Sequence, residues 1–195
     1  MGEIVAIEHV TLDGVIQSPA RPDEDTRDGF DKGGWGAERA SDPALQKIIG
    51  ARMGTSWSLL VGRITYKDLH DHWTKQPPNP MTDALNRVQK FVASNMLGEP
   101  LPWQNSILLS GGVPTSVADL KREHDRTLVI FGSGVLVQSL MRHDLVDEFV
   151  LQVHPIVLGR GRRLFPEGGV PASFDLQEAT TSETGVVIGT WTLST

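Results

Sequence analysis

From Glu3 to Val10 the chain is mostly apolar and β-branched, a pattern that predicts a buried first strand. Thr11-Leu12-Asp13-Gly14-Val15-Ile16 then turns and extends again. Polar residues take over from Gln17 to Gly36, with Pro19, Pro22, Gly29, Gly33 and Gly34 spread among them. This predicts a long loop, and long loops in compact domains often serve as functional lids. Asp42-Pro43 reads as an N-cap followed by proline at the first helical position. Leu45, Ile48, Ile49 and Met53 continue it as a helical stripe. Ser58 to Val61 is a short buried strand closed by Gly62-Arg63, and a helix starts near Thr65 and runs toward His70. Pro77, Pro78 and Pro80 break the chain before a short helix over Met81 to Val88. Strands are expected at Lys90 to Ser94 and Ile107 to Leu109, and a helix at Val117 to Glu123. Thr127 to Phe131 is a buried strand, followed by Gly132-Ser133-Gly134 and a helix with Val135, Leu136, Leu140 and Met141 on its apolar face. Phe149 to Val157 is a further strand, and Phe174 to Leu193 a hairpin turning about Glu183-Thr184-Gly185.

Strands alternate with helices up to about residue 157, which means a largely parallel sheet with right-handed crossovers. The terminal hairpin adds antiparallel strands and makes the sheet mixed. A chain of 195 residues suits a single α/β domain, residues 1–195. No apolar run approaches the roughly 18–20 residues of a membrane helix, and Met1-Gly2-Glu3 lacks the basic stretch of a secretory signal. The expectation is a cytoplasmic protein without a membrane partner. There is no cysteine, which excludes disulfides, thiolate zinc sites and cysteine nucleophiles. His70 and His72 are two apart and do not share a helix face, so no metal is expected. A net charge of −6 argues against a nucleic-acid surface, though not against one bound phosphorylated cofactor.

Three segments carry candidate chemistry. Gly132-Ser133-Gly134 joins a strand to a helix, where glycine admits close approach and the helix N-terminus offers amides to a phosphate. A tight turn without a ligand fits the same residues. Leu59 to Tyr66 repeats the arrangement: Arg63 stands where ligands collect at the carboxyl end of a strand, and Thr65 either caps the helix or donates its hydroxyl. Asp13-Gly14 follows the first strand, as a simple turn or as a loop end beside a ligand.

In order and spacing these segments resemble the dihydrofolate reductase-like family, in the branch typified by the reductase domain of the bifunctional riboflavin-biosynthesis deaminase-reductase. The landmarks are Leu12-Asp13-Gly14, Gly62-Arg63-Ile64-Thr65-Tyr66 and Gly132-Ser133-Gly134. Leu145-Val146-Asp147-Glu148-Phe149 and His154-Pro155-Ile156-Val157-Leu158-Gly159-Arg160-Gly161 add the most specific stretches. The resemblance implies a three-layer α/β/α fold, NADPH as cofactor and a homodimer. It places Gly62, Arg63 and Thr65 at the adenosine-side phosphates and Ser94 near the adenine. Gly132, Ser133, Gly134, Val135 and Leu136 fall beneath the pyrophosphate. Asp13, Gly14, Val15 and Ile16 lie at the nicotinamide.

The position of the acid that dihydrofolate reductases carry on their first helix maps near Gln46, which can hydrogen-bond a heterocycle but brings no charge. Asn95 stands where many relatives grip the 2′-phosphate with arginine, so the choice of NADP rests on Arg63. Trp35, Tyr66 and Trp73 are candidates to stack a flat substrate, the alternative being lid packing for Trp35 and core or pocket wall for Tyr66 and Trp73. The implied activity is hydride transfer to a small heterocyclic (pterin- or pyrimidine-like) or carbonyl compound, with Asp13 or water as proton source and Gln46 as substrate contact. The alternative is a non-catalytic nucleotide- or ligand-binding homodimer that retains the fold.

Overall fold

The computed structural model describes residues 2–39, 43–53 and 56–194. Among these residues the chain forms eight strands and five α-helices. They are β1 (Ile4–Thr11), α1 (Pro43–Met53), β2 (Trp57–Gly62), α2 (Arg63–Trp73), α3 (Pro80–Arg87), β3 (Lys90–Ala93), β4 (Ser106–Leu109), α4 (Val113–Glu123), β5 (Thr127–Phe131), α5 (Gly134–Met141), β6 (Glu148–His154), β7 (Phe174–Thr181) and β8 (Val187–Leu193). Asp42, the expected N-cap of α1, lies outside the described residues. The long 17–36 loop carries a single 3-10 turn at Arg27–Gly29, and a second follows at Ala37–Arg39.

The strands form one mixed sheet in the order β4-β3-β2-β5-β1-β6-β8-β7. The six strands from β4 to β6 run parallel, and β8 and β7 add the antiparallel hairpin at one edge. Alternation along the strands splits the core in two. Val5, Ile7, Leu59, Val61 and Val129 point to the face covered by α1, α2 and α3. Ile4, Ala6, Leu60, Leu128 and Ile130 point to the face covered by α4 and α5. The result is the three-layer α/β/α arrangement that the resemblance implies.

Two boundaries moved for physical reasons. Helix α4 begins at Val113 rather than Val117, because Pro114 is tolerated in a first turn whose amides need no intrahelical acceptor. Strand β6 stops at His154 rather than Val157. Pro155 has no amide for the ladder, and the chain turns so that the Ile156 carbonyl accepts from Leu12 N at 2.9 Å.

The carboxyl ends of all six parallel strands lie along one edge. Pairing of β1 with β5 ends at Ile7 opposite Phe131, whereas β1 stays paired with β6 as far as Thr11 opposite His154. A crevice therefore opens between β1 and β5. The chain leaves β1 for the face of α1 and leaves β5 for the face of α5, the condition under which α/β sheets form ligand sites.

The 158–164 loop closes one end of this crevice. Ile16 N donates to the Arg162 carbonyl at 2.9 Å, Leu164 N to the Gly14 carbonyl at 3.0 Å, and Val15 bridges Arg163. Gly161 sits at φ +125°, and a Cβ there would lie 2.6 Å from Val15 Cγ1 and 2.8 Å from Phe30 Cε2. Gly161→Ala is expected to cost about 2–4 kcal/mol through forbidden backbone and overpacking together. Urea unfolding measures it, and a cost under about 1 kcal/mol would show that the loop is not clamped at this point.

Candidate functional site

The turns after β2 and β5 are tied to each other. Gly62 N donates to Ser133 Oγ at 3.0 Å, and Ser133 N donates to Thr65 Oγ1 at 3.1 Å. Ser133 adopts φ 56°, a left-handed conformation rare outside glycine. Gly132, at φ +58°, leaves only 3.5 Å between an added Cβ and Thr65 Cγ2. An added Cβ on Gly134 would lie 2.4 Å from Ile16 Cδ1, so the β1 turn packs directly on the start of α5. The amides of Leu136 and Val137 return to the Ser133 carbonyl at 2.7 and 3.1 Å. Those of Gly134 and Val135 have no partner among the described residues, which leaves two donors at a helix N-terminus. The Ser133 and Thr65 hydroxyls accept amides and keep their own protons for donation.

Arg63 opens α2 half-buried and forms no ion pair among the described residues, whereas Arg21 and Arg162 are matched with Asp68 and Asp28. Buried Ser94 accepts from Met96 N and Leu97 N at 3.0 and 3.1 Å and so shapes the turn after β3. Asn95 Oδ1 accepts from Gly111 N at 2.9 Å. Gly62, Arg63, Thr65, Ser94, Gly132, Ser133, Gly134, Val135, Gly14 and Ile16 thus share the carboxyl edge.

Other expected residues have different work. Asp13 accepts from Thr11 Oγ1 at 2.6 Å, Leu158 N at 3.2 Å and Gly159 N at 2.8 Å. The Thr11 hydrogen bond, aided by the two amides, holds its carboxyl below the usual range. Such a carboxylate fastens the 158–164 loop and is a poor proton source. Gln46 is exposed on α1, and its side chain has no hydrogen-bond partner among the described residues. The side chains of Val15 and Leu136 belong to the core. Tyr66 is 1 % exposed, and its hydroxyl donates to Ser106 Oγ at 3.2 Å and accepts from Trp103 N at 3.0 Å, which makes it core rather than pocket wall. Trp73 ends α2, a full helix length from the carboxyl edge, and packs on the core.

Sequence reasoning missed a buried polar cluster. His9 and Gln152 continue the face of Ile7 and Val150 toward the carboxyl edge, with His154 beyond them. His9 Nδ1 lies 2.9 Å from His154 Nε2, and Trp35 stands edge-on to His154 with ring centroids 5.1 Å apart. Trp35 Nε1 donates to the Gln17 carbonyl at 2.8 Å. Gln17 in turn ties the loop together, donating to the carbonyls of Asp25 and Arg27 and accepting from Arg162 N. Burial and then the charge of His154 lower the His9 pKa to about 3; burial and then Arg39 lower that of His154 to about 4. Both rings are neutral near pH 7, and one proton joins them. His154 Nδ1 and Gln152 Oε1 remain buried without a partner among the described residues. Glu8, on the opposite face of β1, is 2 % exposed, and its Oε1 also has no partner among the described residues. In sequence, Glu8-His9 inside an apolar run was the available signal.

Similarity to known proteins covers most of the chain. The family model described as the RibD C-terminal domain matches residues 4–188. The uncharacterised protein YyaP of Bacillus subtilis is 26% identical over 135 residues, 67% of this chain and 70% of its own length. Among solved structures, a Shewanella protein assigned to riboflavin biosynthesis superposes with a TM-score of 0.69 at 22% identity, covering 99% of both chains. Dihydrofolate reductase from Enterococcus faecalis, solved with NADP(H), gives a TM-score of 0.61 at 14% identity over 100% of this chain and 98% of its own.

The histidine pair predicts a pH dependence of stability. As pH falls through the ordinary histidine value of 6.5, the unfolded chain binds protons that the folded chain refuses until about 4 at His154. Stability is therefore full above pH 6.5 and is lost on acidification, by about 1.4 kcal/mol per pH unit for each such group. His154→Gln should flatten the slope by about that amount between pH 6.5 and 5 in urea unfolding. Coincident slopes for the two proteins would mean that the folded pair is already charged.

Proposed function

The chain belongs to the RibD C-terminal domain family, and we propose that it is an NADPH-dependent reductase acting on a C=N or C=O bond of a small heterocyclic (pterin- or pyrimidine-like) or carbonyl compound. The observation that carries this reading is the reciprocal tie between the β2 and β5 turns. It holds, along one crevice, two hydroxyls together with two amides and an arginine that have no partner among the described residues. That donor set fits a dinucleotide: neutral donors at a helix N-terminus suit a pyrophosphate, and a planar guanidinium suits a terminal phosphate. Gly62, Arg63 and Thr65 would hold the adenosine-side phosphates, with Ser94 near the adenine, and Gly132 to Val135 the pyrophosphate. The 13–16 turn, with Gly14 and Ile16, would hold the nicotinamide end. The bound dinucleotide supplies the hydride; the protein supplies orientation and a dry pocket. Trp35, over the His9–His154 pair, walls the substrate side in this reading.

A non-catalytic dinucleotide-binding protein is the second reading. It is favoured by an Asp13 that is tied up as a carboxylate and a Gln46 that faces solvent. Turnover separates the two. The proposal includes a homodimer, for which light scattering should return twice the chain mass.

Fluorescence titration with NADPH and NADH tests the cofactor. NADPH should bind at least about 10-fold more tightly, the worth of one charge-assisted phosphate contact. Arg63→Ala should remove most of that difference. If neither nucleotide binds at micromolar concentration, the reductase reading fails.

A further inference from the structure

Resting on the reductase reading, we propose that His9 selects the substrate: His154 sets its tautomer and so fixes an Nε2–H donor in the crevice, and the site takes a compound that turns a carbonyl oxygen, not an amino group, toward β1. The tautomer follows from the hydrogen-bond partners. A neutral imidazole has one donor and one acceptor nitrogen, and the bond made by one decides the state of the other. His9 Nδ1 and His154 Nε2 are 2.9 Å apart, so one of them carries the shared proton. If His9 carried it, the proton of His154 would lie on Nδ1. That nitrogen is buried and has no partner among the described residues. Gln152 Oε1, a buried acceptor on the same strand, is also without one and takes no proton from it. A buried N–H without an acceptor is rarer in folded proteins than an unused lone pair. The shared proton therefore belongs to His154 Nε2, His9 Nδ1 accepts it, and the proton of His9 stands on Nε2.

The sheet decides where that donor points. β1 lies between β5 and β6. The two nitrogens of an imidazole point in nearly opposite directions, and Nδ1 is turned to His154 on β6. Nε2 is thus turned to the β5 side, where the ladder has ended at Ile7 opposite Phe131. His9 is partly exposed there, and its Nε2 has no partner among the described residues. Phe131, also partly exposed, borders the same face on the β5 side, and Trp35, edge-on to His154, borders it on the β6 side. Aromatic borders of this kind suit a flat ring. Glu8, the preceding residue, points to the opposite face and takes no part; burial pushes its carboxyl well above the ordinary glutamate range.

A fixed neutral donor discriminates by pairing. A carbonyl oxygen facing Nε2 accepts its proton. An amino group there sets donor against donor and leaves both unpaired, the arrangement by which polar sites reject close analogues. The ring has no easy way to adapt, because turning its acceptor to such a group breaks the bond to His154. His154 is therefore a positioning residue that acts through His9.

Nuclear magnetic resonance of protein labelled with ¹⁵N-histidine reads the tautomer without any ligand. At about pH 7, correlation of the ring C–H protons with both ring nitrogens should show His9 and His154 each protonated on Nε2 and bare on Nδ1. His154→Leu should let the His9 proton redistribute between its two nitrogens. His154→Gln, whose amide can still donate to Nδ1, should keep it on Nε2. Selection is then read on protein saturated with NADP⁺, titrated with 2-pyridone, a flat uncharged ring with a carbonyl oxygen, and with aniline, a flat uncharged ring with an amino group. The pyridone should bind at least about 5-fold more tightly, the worth of one neutral hydrogen bond, and shift the His9 Nε2 signal. His9→Phe should lose the preference. A His9 proton on Nδ1, a tautomer unchanged in His154→Leu, equal binding of the two compounds, binding of neither at millimolar concentration, or the same preference in His9→Phe would each overturn the role of His9 and leave the reductase reading standing. Failure of NADP⁺ and NADPH to bind would overturn both.

Discussion

Two hydrogen bonds between turns far apart in sequence organise the carboxyl edge: Gly62 N to Ser133 Oγ, and Ser133 N to Thr65 Oγ1. They fix the N-termini of α2 and α5 side by side, and every group assigned to a dinucleotide is placed relative to them. The left-handed backbone of Ser133 costs about 1–2 kcal/mol. That cost is offset by two amides satisfied where a strand ladder has ended and a helix has not yet begun. Because the Ser133 amide is used internally, the donors left for a phosphate are the next two along the chain.

The same edge carries polar groups buried on both faces of β1. Glu8 and His9 are adjacent and point to opposite sides, one toward the glycine turn and the other toward Gln152, His154 and Trp35. Their linkages have opposite sign. The imidazoles favour the folded state at high pH, and the carboxyl favours it at low pH. An aliphatic pair at these positions would serve the core better, so their presence is a statement about the crevice rather than about stability.

The loops around the crevice are clamped by ordinary chemistry. Asp13 binds the amides after β6, and Gln17 gathers the carbonyls of its own loop. Gly161 lets Val15 and Phe30 pack together. Asp13, expected at the reacting end of the site, holds this frame. An acid following a strand looks the same in sequence whether it faces a ligand or an amide; only the partners that converge on it decide.

Periodicity alone gave the alternation of elements, the mixed sheet and most boundaries, because local patterning and turn residues act over a few residues. Motif spacing gave the family and the glycine turns. Proline effects at Pro114 and Pro155 shifted the ends of α4 and β6, and those are local too. The sequence could not assign roles within the edge. Tyr66 and Trp73 stand close to the Gly-Arg turn along the chain, yet helix α2 carries them into the core, since a helix rises about 1.5 Å per residue away from its start. His9, Gln152 and His154 meet only because β1 pairs with β6 in one particular register. Burial, orphaned atoms and shifted proton affinities arise from that pairing, so tertiary structure decided them while the sequence by itself determined the scaffold that brings them together.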